Sequence, residues 1–109
     1  MTPEFDWYTA SIPAKPQIVL DALAGAYDMA DVLPSTPKMG YERAYKVVRG
    51  ETVLARVQFG GPNVGNNVWA CASGENAPEF AGIVRGVFPG HNLLRADVKL
   101  DYDEEGAWD

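Results

Sequence analysis

The chain has 109 residues, 47% hydrophobic and 22% charged, which sets the expectation of one folded domain with its own core and excludes a disordered acidic tail protein. One Cys and one His exclude a zinc knuckle and a multi-His iron site. The net charge of −6 is uneven: residues 97–109 hold six acids and one Lys, net −5, whereas residues 1–96 hold nine acids and eight bases, net −1. The average therefore neither requires nor excludes nucleic-acid binding. No apolar run has the length of a membrane span and no signal peptide is evident, so a cytoplasmic location is the expectation.

In chain order, Phe5 to Ile12 is aromatic and apolar and ends at Pro13, which predicts a first strand. Pro16 marks a helix start, with Ile18, Val19, Ala22, Leu23 and Ala26 at helical spacing. Val32 to Gly40 contains Pro34, Pro37 and Gly40 and reads as a loop. Ala44 to Phe59 predicts a hairpin whose two-residue turn is Gly50-Glu51, since Gly at the first turn position suits type II′. An unbroken register from that turn puts Ala44, Val48, Val53, Ala55, Val57 and Phe59 on one face, with Lys46 as the lone misfit. It puts Arg43, Tyr45, Arg49, Arg56 and Gln58 on the other.

Gly60-Gly61-Pro62-Asn63 is a loop, more consistent with a strand exit than a phosphate cradle because no helix start follows it closely. A strand follows over Asn67–Ala72, in which Cys71 reads as a small buried hydrophobe. Ala77 to Phe88 predicts a second helix, with Asn76 as its cap and Phe80, Ile83, Val84 and Val87 on its apolar stripe. His91 to Asp103 is the last strand, and Gly106 to Asp109 resembles the opening turn of a further helix. The order β-α-β-β-β-α-β predicts an α+β fold: a five-stranded, mainly antiparallel sheet with two helices on one face.

The last strand carries the chemistry of most interest. Ala96, Val98, Leu100 and Tyr102 alternate with Arg95, Asp97, Lys99, Asp101 and Asp103, which gives a charged face with three carboxylates. Such a face either holds a divalent metal or is a solvated strand end. On a straight strand Asp97 and Asp101 lie about 13 Å apart, and Asp101 and Asp103 about 7 Å, so only the second pair could share one ion without a bulge. Arg43, Tyr45, Arg49 and Arg56 form either a single-strand nucleic-acid platform or an ordinary polar sheet face. His91 is expected to make a local hydrogen bond, and Trp7 and Trp69 are expected to pack.

Asp6-Trp7, Val57 to Gly61, Ala72 to Ala77, Arg85 with Phe88-Pro89, and Arg95-Ala-Asp-Val-Lys-Leu-Asp101 followed by Gly106-Ala107 together resemble the N-terminal part of the rolling-circle replication initiation factors of filamentous phages and related plasmids. The likeness covers most of this chain and part of a typical family member, so the chain would be the N-terminal part, or a truncated derivative, of such an initiator. The resemblance implies an enzyme that nicks origin DNA with a tyrosine nucleophile and needs Mg or Mn. It assigns Asp97 and Asp101 to the metal and Arg95 to the nicking site; the spacing to Asp101 adds Asp103 as a candidate ligand. Tyr8, Tyr27, Tyr41, Tyr45 and Tyr102 lie in no recognisable nucleophile motif, so the expectation is origin or single-stranded DNA binding without turnover. A second reading is a small acidic phage protein whose terminal cluster imitates a phosphate backbone and occupies the groove of a basic host protein, such as a defence nuclease. A third is an interaction subunit with no nucleic-acid role.

Overall fold

A computed structural model of the chain describes residues 4–61 and 67–99. The elements run β1 (Glu4–Ile12), α1 (Pro16–Ala26), β2 (Asp31–Ser35), β3 (Arg43–Arg49), β4 (Thr52–Phe59), β5 (Val68–Ser73), a 3-10 turn (Gly74–Asn76), α2 (Ala77–Val87) and β6 (Asn92–Lys99). The strands form one sheet in the order β2-β3-β4-β5-β1-β6, every neighbouring pair antiparallel. The fold is therefore α+β with two helices, as expected, but the sheet has six strands rather than five. The additional strand is β2, in the Pro-rich stretch that reads as a loop. Pro34 is tolerated there because β2 is an edge strand, with β3 its single neighbour, so the missing N–H need not break a ladder.

Both helices cover the same side of the sheet. Val19, Leu20 and Leu23 of α1 and Ala77, Phe80, Ala81 and Val84 of α2 are buried. They meet Tyr8, Ala10 and Ile12 of β1, Val47 of β3, Leu54, Ala55 and Val57 of β4, and Val68, Ala70 and Ala72 of β5. Each fully buried aliphatic of this set contributes about 1.5–3 kcal/mol relative to exposure. Pro16 occupies the first turn of α1, where a missing N–H costs nothing. Glu79 in the first turn of α2 and Arg85 in its last match the helix dipole. Asn76 precedes α2 but makes no side-chain cap. Its Nδ2 instead donates to the Val53 carbonyl at 3.2 Å, tying the helix entry to β4.

The Gly50-Glu51 turn is present, with Gly50 at φ 62° and Glu51 outside the left-handed region, as a type II′ turn requires. Arg49↔Thr52 and Val48↔Val53 pair as the turn dictates. Then the register shifts by one: Val47 pairs with Ala55, Lys46 with Arg56 and Tyr45 with Val57. Leu54 is the extra residue of a β-bulge and is buried in the core. The bulge removes the Lys46 misfit by turning Lys46 to the side away from the helices. It also corrects the faces expected for an unbroken hairpin, since Tyr45 now shares a side with Val47, Val57 and Phe59.

The far end of the sheet is pinned through His91. Its Nδ1 lies 2.7 Å from the Phe88 carbonyl, which can only accept, so Nδ1 carries the proton. Nε2 then accepts from the Tyr8 hydroxyl at 2.8 Å. The local hydrogen bond expected for His91 is thus joined by a long-range one to β1, next to the edge-to-face contact of Tyr8 with Phe80. No helix among the described residues is long and apolar enough to cross a membrane.

Candidate nucleic-acid interface

Strand alternation leaves one side of the sheet without helices, and the pairing registers show what stands there. Lys46 is opposite Arg56, Arg56 opposite Cys71, Cys71 opposite Thr9, and Thr9 opposite Arg95. These five residues form one row running across β3, β4, β5, β1 and β6. At the usual strand spacing of ~4.8 Å, Lys46 and Arg95 stand about 19 Å apart along it. Trp69, two residues from Cys71 on β5, flanks the row on one side. Trp7, two residues from Thr9 on β1, flanks it on the other.

The Trp7 indole N–H donates to the Thr9 hydroxyl at 2.6 Å, which fixes the ring. The Arg95 guanidinium lies 4.8 Å from the Trp7 ring centroid, a cation–π contact. It also donates to Asp97 Oδ2 at 2.7 Å. This hydrogen bond and the Asp97 charge raise the Arg95 pKa further, so Arg95 stays a cation at any working pH. Both side chains are at least half exposed, so the pair contributes little to stability.

Residues 36–41 cross part of this side. The Lys38 N–H donates to Gln58 Oε1 at 2.6 Å, and Tyr41 lies against Trp69 with centroids 6.2 Å apart. Beneath this crossing is a cleft of about 210 Å³ lined by Ser35, Lys38, Ala44, Arg56, Gln58 and Trp69 among others. A smaller depression of about 110 Å³ lies between Trp7, Arg56 and Cys71. A larger recess of about 700 Å³ opens by Pro13, Lys15, Phe59 and Asn67. It carries one charged side chain and stands apart from the row, so we do not assign the chemistry to it.

Cys71 is buried, as expected, and burial pushes its thiol from 9.0 up to about 11, with Arg56 opposing the rise. A thiol so held is a weak nucleophile.

The expected site residues divide between the two sides. Arg56, Arg95 and Asp97 are on the uncovered side. Arg43, Tyr45 and Arg49 alternate onto the helix-bearing side, which corrects the single platform of Arg43, Tyr45, Arg49 and Arg56. The Tyr45 ring stacks on Phe59 at 5.8 Å and 12°, and Arg49 Nε donates to the Asp28 carbonyl at 2.9 Å just after α1. Asp101 and Asp103 lie outside the described residues. Among the described residues no three His, Cys, Asp or Glu side chains gather as a metal site. Lys46, Trp7 and Trp69 belong to this surface, although sequence reasoning puts Lys46 on the apolar face and gives the two Trp residues a packing role only. The signal for Lys46 was its own misfit, since one cation on an otherwise apolar strand face marks a register break.

Comparison of the chain with protein-family models, with curated proteins and with solved structures gives no match.

Proposed function

We propose that the uncovered side of the sheet binds single-stranded nucleic acid, and that the chain is the DNA-binding part of a replication initiator of the type it resembles. The observation that carries this is the Lys46–Arg56 pair. Like charges directly opposite on adjacent strands destabilise a sheet. Here two cations face each other, and neither forms a salt bridge with a carboxylate among the described residues. A phosphate bridging them converts that repulsion into attraction. Arg95 continues the row, and the indole and phenol rings of Trp7, Trp69 and Tyr41 supply faces on which bases stack.

Mg or Mn held by Asp97, Asp101 and Asp103 belongs to the same proposal on the strength of the resemblance and, for Asp103, of its spacing from Asp101. Asp97 is already bonded to Arg95, and we build no nicking step on these residues.

The test is a tryptophan-fluorescence titration with oligothymidylate at several salt concentrations. Three cations each releasing a counterion give a slope of log affinity against log salt of about −2, or a roughly 20-fold loss between about 50 and 200 mM salt. Absence of binding at low salt refutes the proposal. If the chain then displaces DNA from a basic protein, the acidic segment acts instead as a phosphate mimic.

A further inference from the structure

The two edges of the sheet differ in a way that points to a second copy of the chain. β2, at one edge, has five residues and contains Pro34, which blunts it against further pairing. β6, at the other, has eight residues and no proline, and its one strand neighbour is β1. Its outer N–H and C=O groups therefore have no strand partner among the described residues. Leu93 and Leu94 on this edge are 54% and 55% exposed, although both are large and apolar.

We propose that β6 pairs antiparallel with β6 of a second copy, about a two-fold axis through Ala96. Charge selects this register. With Ala96 opposite Ala96, Arg95 of each copy stands opposite Asp97 of the other. Within each copy Arg95 already contacts its own Asp97 at 2.7 Å, so the four side chains alternate in sign around the axis. Centring the pair on Asp97 opposes two carboxylates, and centring it on Arg95 opposes two guanidinium groups. Both are disfavoured for directly opposed cross-strand residues. The chosen register also places Leu94, exposed in one copy, within the edge pairing with the second copy. Opposed residues share a face, so the two six-stranded sheets join into one, with all helices on one side and both cationic rows on the other.

Sedimentation velocity from micromolar to millimolar protein, without nucleic acid, tests this. The wild-type chain is expected to reach twice the 11.8 kDa chain mass. Arg95→Asp places acids opposite acids and Asp97→Arg places bases opposite bases, so each variant alone is expected to dimerise at least tenfold more weakly. Mixed in equal amounts, the two oppose Asp to Arg at both positions and are expected to recover the dimer. That recovery cannot come from the ion pair within one chain, which both variants lack. A wild-type chain that stays monomeric overturns the proposal, as do single variants that dimerise like wild type or a mixture that stays monomeric. If circular dichroism shows either reversal unfolded, Leu94→Lys at its exposed site replaces it, and undiminished dimerisation of that variant equally overturns the proposal.

Discussion

Tyr27 follows α1 as its C-cap, is 2% exposed, and its hydroxyl has no hydrogen-bond partner among the described residues. Leaving a buried hydroxyl unsatisfied costs about 1–3 kcal/mol. Tyr27→Phe removes that oxygen and leaves the ring in place, so the variant is expected to be more stable by about 1 kcal/mol at neutral pH. For a domain near this size that raises Tm by about 4 °C or more. The sign of the pH dependence follows from the same burial. Burial, helped by Glu79 and opposed by Arg49, pushes the Tyr27 pKa well above its ordinary value of 10.0. An unfolded chain loses this proton near pH 10 and the folded chain keeps it. Stability is thus complete below about pH 10 and falls above it by up to about 1.4 kcal/mol per pH unit. The Phe variant lacks this contribution, and its advantage should widen between pH 9 and about pH 11. Other tyrosines titrate equally in both proteins and cancel in the difference. Urea unfolding of the two proteins across this range is the assay. A Phe variant less stable than wild type shows that the hydroxyl is hydrogen-bonded, and a gap that does not change with pH shows that burial does not hold its proton; either result refutes the reasoning.

Two further outcomes follow from the hairpin and its neighbour. Leu54→Ala should cost about 2–5 kcal/mol in urea unfolding, because the bulge residue is 3% exposed and in the core. Val53→Ala, half-buried on the uncovered side, should cost less than Leu54→Ala. An unbroken hairpin would bury Val53 with Ala55 and reverse that order. Cys71 ionises near 9 when unfolded but is held up to about 11 by burial, so its contribution to stability is complete below pH 9 and lost as pH rises through about 11. Cys71→Ala should flatten this part of the alkaline unfolding curve. Iodoacetamide should alkylate the native thiol far more slowly than the unfolded one, and equal rates would contradict its burial.

What the sequence made legible depended on local signals. The Pro16 start and the Val19–Leu23 spacing located α1, and Pro89-Gly90 closed the region of α2. The Gly50-Glu51 turn was readable because a positive φ at one position needs glycine. β2 was not readable, because proline in an edge strand and proline in a loop leave the same trace; only pairing with β3 distinguishes them. The β-bulge at Leu54 was visible only as the Lys46 misfit, and its consequence is long-range. One extra residue exchanges the faces of β3, and of Thr52 and Val53, relative to Ala55–Phe59, carrying Tyr45 to the helix side and Lys46 to the uncovered side. Period-two reasoning placed Arg95 and Asp97 together correctly because no shift falls between them. Trp7 and Trp69 were expected to pack; each is half-buried, against Arg95 and Tyr41 respectively, and their rings border the cationic row because β1 and β5 place alternate residues on each side.

The proposed binding belongs to the uncovered side of the sheet and not to the helix-bearing side. Oligothymidylate affinity at fixed low salt, measured for Lys46→Ala/Arg56→Ala and for Arg43→Ala/Arg49→Ala, tests it most directly, since both pairs remove two positive charges. Removing Lys46 and Arg56 is expected to lower the affinity at least tenfold and to flatten the salt slope by about 1.4. Removing Arg43 and Arg49 should leave both nearly unchanged. Equal losses from the two pairs, or a greater loss from the second, would contradict the account.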